Sequence, residues 1–247
     1  MIVNEISAKT VLSKSRVFDY AVNPYVGCEH KCTYCYARFI KRFTGHKEAW
    51  GDFVDVKINA PELLEREIQR KKVGRVWVSG VCDPYQPLEK RYGLTKQCLK
   101  ILSTFQWPVT IQTKSPLVLR DLPLLKTFND IEVGFTVTTS EERIRRIFEP
   151  CTPPIEERIR TLGELKYHNI RTFAMIAPML PEPEPLVLRL KGKVDRVLID
   201  RMNYHYADSQ YKLYGLQHAL TEVFFSEKKN TLSHAFSREN VPFQFLY

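Results

Sequence analysis

Short apolar or β-branched runs alternate with amphipathic stretches along most of this chain, and that alternation limits the folds open to it. Residues 76–79, 109–113, 131–137, 172–177 and 194–199 read as strands, with a further extended stretch at 19–22. Residues 61–71, 95–105, 117–127, 155–168 and 211–225 carry helical periodicity, with Pro61 suited to a first helical position and Thr95 to an N-cap. Six β-then-α units predict a parallel sheet with helices on its outer face. Six units are too few for a closed eight-stranded barrel, so the expectation is α/β, a partial (β/α)6 TIM-type barrel. No internal repeat or linker interrupts residues 1–247, and the expectation is one domain with its core at about 10–205. Residues 206–247 then form a C-terminal helix and tail, in which the alternation of Phe243, Phe245 and Tyr247 suggests a last strand. The stretch 178–185 (PMLPEPEP) reads as a loop.

Composition narrows the setting. Hydrophobic residues make up 44% and charged residues 26% of the 247, which suits a packed chain and not a disordered one. No apolar run is long enough for a bilayer span. Residues 1–24 carry no basic-then-apolar export pattern, so a cytoplasmic protein is expected. Lys and Arg outnumber Asp and Glu by 37 to 28, a net charge of +9 that suits an anionic partner such as nucleic acid.

Three of the six cysteines, Cys28, Cys32 and Cys35, crowd into eight residues, while Cys82, Cys98 and Cys151 are scattered. In a reducing compartment such a trio reads as a metal site rather than a disulfide framework. A structural zinc wants four protein ligands, and only His30 offers a fourth nearby. An iron–sulfur cluster held by three thiolates, with one iron left open, fits the count better.

The loop reads Asn-Pro-Tyr-Val-Gly-Cys-Glu-His-Lys-Cys-Thr-Tyr-Cys-Tyr-Ala-Arg over 23–38. CxxxCxxC with an aromatic before the last cysteine resembles the cluster motif of radical S-adenosylmethionine (SAM) enzymes. Together with FTGH, FVDVKINAPELL, VCDPYQPLE, LTKQCL and TKSPLVLRDL, it resembles the spore photoproduct lyase-like branch of that superfamily over about 10–205. The resemblance implies a 4Fe-4S cluster on Cys28, Cys32 and Cys35, with SAM as the second cofactor. It also implies reductive cleavage of SAM to a 5′-deoxyadenosyl radical, and an electron donor of the flavodoxin or ferredoxin type. The lyase reaction does not follow from it.

The same resemblance, together with the positions of polar and aromatic residues at strand ends, suggests further contacts. Tyr34 would lie against the adenine or the cluster. Ser79 and Gly80, ending a strand, would meet the SAM amino group. Asp83, with Tyr85, Gln86 and Glu89 on the same loop, would face SAM or substrate. Lys114 and Ser115 would reach the SAM carboxylate from the next strand end. Thr136 and Thr138 share a strand face and would either reach the ribose or be satisfied within the sheet. Glu149 and Arg158 resemble the branch's EP…R pattern; Arg158 is either a carboxylate anchor or a solvated helix residue. Cys82 is either a hydrogen donor to a substrate radical or a buried, inert thiol. Asn203, Tyr204, His205 and Tyr206 would stack on a base or cover the site.

Two classes of function compete. One is a radical SAM enzyme abstracting hydrogen from a substrate, with nucleic acid, protein and small molecules all open. The other is a non-catalytic nucleic-acid-binding module with a structural metal.

Overall fold

The apolar runs form strands that pair mainly in parallel, as β-then-α alternation requires. The computed structural model describes residues 1–247. It divides into two units, Met1–Lys31 with Ala37–Val133 and Cys32–Tyr36 with Gly134–Tyr247.

In the first unit, β1 (Ile2–Ile6), β2 (Leu12–Lys14), β3 (Tyr20–Val22), β4 (Tyr25–Val26) and β5 (Phe53–Lys57) precede helix α1 (Ala60–Ile68). Then come β6 (Val76–Val78), the short α2 (Glu89–Tyr92), α3 (Leu94–Thr104), β7 (Val109–Thr113) and α4 (Leu122–Leu125). β3 pairs antiparallel with β2 and parallel with β6, and β6 pairs parallel with β7. A second, three-stranded sheet sets β5 between β1 and β4, parallel to the first and antiparallel to the second. Tyr25, Val54, Val56 and Leu94 form a buried apolar cluster, with Cys82 packed against its edge.

β8 (Ile131–Thr136), buried along its whole length, carries the chain into the second unit. There follow α5 (Glu142–Phe148), α6 (Ile155–Tyr167), β9 (Arg171–Ile176), α7 (Leu186–Leu190), β10 (Arg196–Ile199), α8 (Asp208–Leu213), α9 (Glu222–Arg238) and β11 (Phe243–Phe245). β9, β10 and β11 pair in parallel. Gly134 in β8 is a close-approach position: a Cβ there would sit 2.0 Å from the Phe173 ring.

Three expectations need correction. The helix expected over 117–127 is a 3-10 turn, Pro116–Asp121, followed by α4, because Pro123 resets the helix in mid-run. The helix expected over 211–225 is also broken. It stops at Gly215, in left-handed conformation at φ +67, and α9 restarts from a Thr221 cap. Thr95 is not an N-cap. The Glu89 carboxylate, reaching forward from α2, accepts from the Thr95 and Lys96 amides instead. No helix is long and apolar enough to cross a membrane.

The FTGH block has a local role in the first unit. His46 stacks on Phe53 at 3.9 Å, and its ring nitrogens meet Glu48 at 3.0 Å and Asp55 at 2.9 Å, with the Asn4 amide also on Asp55. Burial opposes the imidazolium, but hydrogen bonds and charge from Asp55 and Glu48 outweigh it and raise its pKa. A raised folded-state pKa stabilises fully below the unfolded value of about 6.5, and the contribution is lost as pH rises through the folded value. Urea melts of wild type and His46→Gln are expected to differ most in mildly acid buffer and to converge as pH rises. A difference independent of pH would contradict the assignment.

Candidate functional site

In the first unit the chain leaves β4 into Gly27, whose φ is +93 and where a Cβ would lie 2.3 Å from the Phe53 carbonyl oxygen. Only glycine fits there. Cys28 follows, buried, and the Lys31 amide closes a turn onto its carbonyl at 3.4 Å.

The loop after β6 packs on this segment residue by residue. The Gln86 side chain donates to the Gly27 carbonyl at 3.3 Å and accepts from the Glu29 amide at 3.0 Å. The Glu29 carboxylate accepts from the Leu88 amide at 2.6 Å. His30 Nε2 lies 3.1 Å from Asp83. Tyr25 donates a short hydrogen bond to Glu89, which also holds Arg120 at 2.8 Å.

Asp83, expected to face SAM, is engaged within the protein. Besides His30, it accepts from Thr113 Oγ1 (2.6 Å) and from the amides of Tyr85 (2.9 Å) and Lys114 (2.7 Å). Burial works against its charge, but His30 and these donors outweigh it and bring the carboxyl down to about 2.

Ser79, Gly80 and Cys82 come together around Asn23. Its side-chain oxygen accepts from Ser79 Oγ (2.5 Å) and from the amides of Gly80 (2.9 Å) and Val81 (3.1 Å). The Cys82 thiol lies 3.0 Å from Ser79 Oγ and 3.5 Å from the Tyr25 carbonyl. Burial pushes it up to about 12, with the Ser79 contact acting in the opposite sense, so it stays an S–H group at neutral pH. Lys114 and Ser115 follow β7, and Ser115 caps the next turn by accepting from the Leu117 amide at 3.3 Å. Sequence reading passed over Asn23, whose position at the end of a buried strand was the available signal.

The second unit holds the other half of the cysteine loop. The Cys35 amide donates to the Cys32 carbonyl at 3.2 Å, and the Thr33 amide to Phe148 at 2.8 Å. Tyr34 donates a short hydrogen bond to Glu149, and burial, then Glu149, push its phenol well above the usual range. Glu149 also accepts from Thr138 Oγ1 at 3.1 Å and pairs with Arg158 at 2.6 Å, with both charged groups fully buried.

Arg158, expected to anchor the SAM carboxylate or to lie solvated on a helix, is fully buried in α6 and so is not solvated. Its guanidinium also donates to the carbonyls of Pro153 and Thr136 and to Thr152 Oγ1 at 2.5–3.1 Å. That engages all five guanidinium donors inside the protein. Thr138 is likewise satisfied by Glu149, while the Thr136 side chain is buried and its carbonyl serves Arg158. Tyr36, next to Cys35, stacks on Tyr204 at 6.2 Å, and Tyr204 on Tyr206 at 6.0 Å, all three exposed.

The donor set of the loop is three thiols. Its one carboxylate, Glu29, is held by Leu88, and its one imidazole faces Asp83. Soft sulfur donors, one short of four, suit an iron–sulfur cluster with an open iron better than zinc or a hard cation. No three His, Cys, Asp or Glu side chains in the chain are gathered at metal-binding distance, so the loop presents a donor set and its order.

Residues 22–185, which include all three cysteines, match the radical SAM superfamily. The chain belongs to that superfamily. Radical SAM proteins use a 4Fe-4S cluster and SAM, and they need an electron donor. An uncharacterized protein of Methanocaldococcus jannaschii is 37% identical over 180 residues, 72% of this chain and 68% of that one. One from Mycobacterium tuberculosis is 30% identical over 192 residues, 72% of this chain and 56% of that one. This radical SAM chain thus spans little more than half the length of the mycobacterial relative. Among solved structures, spore photoproduct lyase complexed with dinucleoside spore photoproduct aligns with TM-score 0.72 and 13% identity, covering 99% of this chain and 82% of that one. Streptococcus suis SuiB bound to its precursor peptide SuiA aligns at 0.61 and 16% identity, covering 92% and 48%. The fold is therefore the radical SAM α/β fold with a parallel sheet.

Proposed function

We propose that this chain is a radical SAM enzyme that cleaves SAM reductively and abstracts hydrogen from a nucleic-acid substrate. The observation that carries the reading is the loop of three thiols inside the region that matches the superfamily. Cys28, Cys32 and Cys35 would hold the cluster. A bound cluster would supply the reducing electron for SAM cleavage.

The chain's own residues do the rest. Asn23 fixes Ser79 and the Gly80–Val81 backbone at the end of β6. Lys114, at the end of β7, supplies a cation for the SAM carboxylate. Cys82, protonated at neutral pH, offers an S–H hydrogen to a substrate radical. Tyr36, Tyr204 and Tyr206 form an exposed aromatic ladder of the kind on which bases stack. The net charge of +9 favours a polyanion, and the electron would come from a flavodoxin- or ferredoxin-like donor. The fold likeness to spore photoproduct lyase agrees with this choice of substrate class.

The test has two arms. Anaerobic reconstitution with iron and sulfide, then dithionite and SAM, is expected to release 5′-deoxyadenosine. Single-stranded oligonucleotides are expected to bind with a strong inverse dependence on salt, weakened by Tyr204→Ala. Zinc loading without SAM cleavage would defeat the enzymatic reading. SAM cleavage with no oligonucleotide binding would instead redirect the substrate to a protein or small molecule.

A further inference from the structure

We infer that Gln86 is a positioning residue for Cys28, clamping the peptide on each side of that cysteine. The inference rests on the reading of Cys28 as a cluster ligand. The two hydrogen bonds of the Gln86 amide go to the Gly27 carbonyl, at 3.3 Å, and the Glu29 N–H, at 3.0 Å. These groups belong to the peptide units that flank Cys28 in the chain. Fixing both planes fixes φ and ψ of Cys28 and hence the direction in which its Cα–Cβ bond leaves the backbone toward the thiol.

The task calls for one donor and one acceptor on a single planar group, which an amide has and an ionised carboxylate lacks. Gln86 is fully buried, and a buried amide is costly unless both ends are satisfied. An apolar side chain would fill the same space without that cost, so packing alone does not account for a glutamine here.

The clamp is itself held firmly. Gln86 lies between Pro84 and Pro87, its backbone N–H donates to the Asp83 carbonyl at 3.3 Å, and its backbone carbonyl accepts from the Glu89 N–H at 2.9 Å. On the opposite side Gly27 is pinned against the Phe53 carbonyl, where no Cβ fits, and Glu29 is tied to the Leu88 amide. Cys28 thus sits between two residues, Gly27 and Glu29, that are each held in place. The clamp also keeps the Glu29 N–H on an amide oxygen. Hydrogen bonds to cluster sulfurs are one of the levers on reduction potential, so where that N–H points matters to the cluster as well as to the loop.

The test compares wild type, Cys28→Ala, Gln86→Met and Gln86→Glu as full chains reconstituted anaerobically. Gln86→Met keeps the volume and removes both hydrogen bonds; Gln86→Glu keeps an acceptor for the Glu29 N–H. The readouts are iron content, the electron paramagnetic resonance spectrum of the reduced cluster without SAM, the rate of iron loss to a chelator, and the melting temperature. Wild type is expected to load iron and Cys28→Ala to fail. Gln86→Met is expected to load iron, show an altered spectrum and lose iron at least ~10-fold faster, with Gln86→Glu between it and wild type. A purely structural glutamine would lower the melting temperature and leave the spectrum and chelation rate of folded protein unchanged. That result in whichever Gln86 variants fold would overturn the inference. Normal iron loading in Cys28→Ala would overturn the ligand assignment instead.

Discussion

Replacing any one of Cys28, Cys32 and Cys35 by alanine is expected to leave a folded chain that neither retains iron nor cleaves SAM. Three thiolates are one fewer than a closed site uses, and removing another leaves two donors for a cluster that must also keep an iron open. Folding survives because the loop is held by contacts that do not involve the thiols. These are Gln86 and Leu88 on one side of the cysteine series, and Phe148 and Glu149 on the other. Cys98, buried in α3, and the exposed Cys151 serve as controls. Their alanine variants are expected to load iron and cleave SAM normally, with a loss of about 1 kcal/mol for the buried one. Iron and sulfide analysis, with circular dichroism to check folding, decides the matter. Full iron in Cys32→Ala would remove Cys32 from the ligand set.

The largest effect on stability is expected at Arg158. Its guanidinium and the Glu149 carboxylate are both fully buried, 2.6 Å apart. Arg158→Ala would leave a buried carboxylate facing Tyr34 and Thr138 with its cation gone. Breaking such a pair from one side costs about 3–5 kcal/mol. For a chain of this size that lowers the melting temperature by roughly 10 °C. Glu149→Gln combined with Arg158→Met removes both charges and is expected to recover part of the loss, since burying two ions carries its own desolvation cost. Calorimetry on wild type, Glu149→Gln, Arg158→Met and their double variant measures the coupling. A loss below about 1 kcal/mol in Arg158→Ala would mean that Glu149 finds another partner.

Strands 109–113 and 131–136 were legible because their sequences, VTIQT and IEVGFT, are rich in the β-branched and apolar residues that suit a buried strand. β1 and β5 were not. β1 is mostly exposed and shows no run, and β5 mixes Asp55 and Lys57 with its apolar residues. Their pairing joins segments about fifty residues apart, which local periodicity does not register. The broken helices at Pro123 and Gly215 carried visible breakers that the amphipathic pattern overrode.

For the site, the spacing of Cys28, Cys32 and Cys35 determined the donor set, since ligand type and order are properties of the chain itself. Sequence also placed polar residues on the loops that follow strands, and Asp83 and Gln86 do lie on the loop after β6, whereas Glu89 opens α2, Glu149 caps α5 and Arg158 lies within α6. What each one touches was decided by tertiary structure. Asp83 meets Thr113, Gln86 meets Gly27, Glu89 meets Tyr25, and Glu149 meets Tyr34 across 30 to 115 residues of chain. A buried polar side chain must find partners, and the fold supplies them from whichever segment lies opposite. A one-dimensional pattern therefore names the groups able to do chemistry, and only the packed chain separates those that face a ligand from those that hold the loop in place.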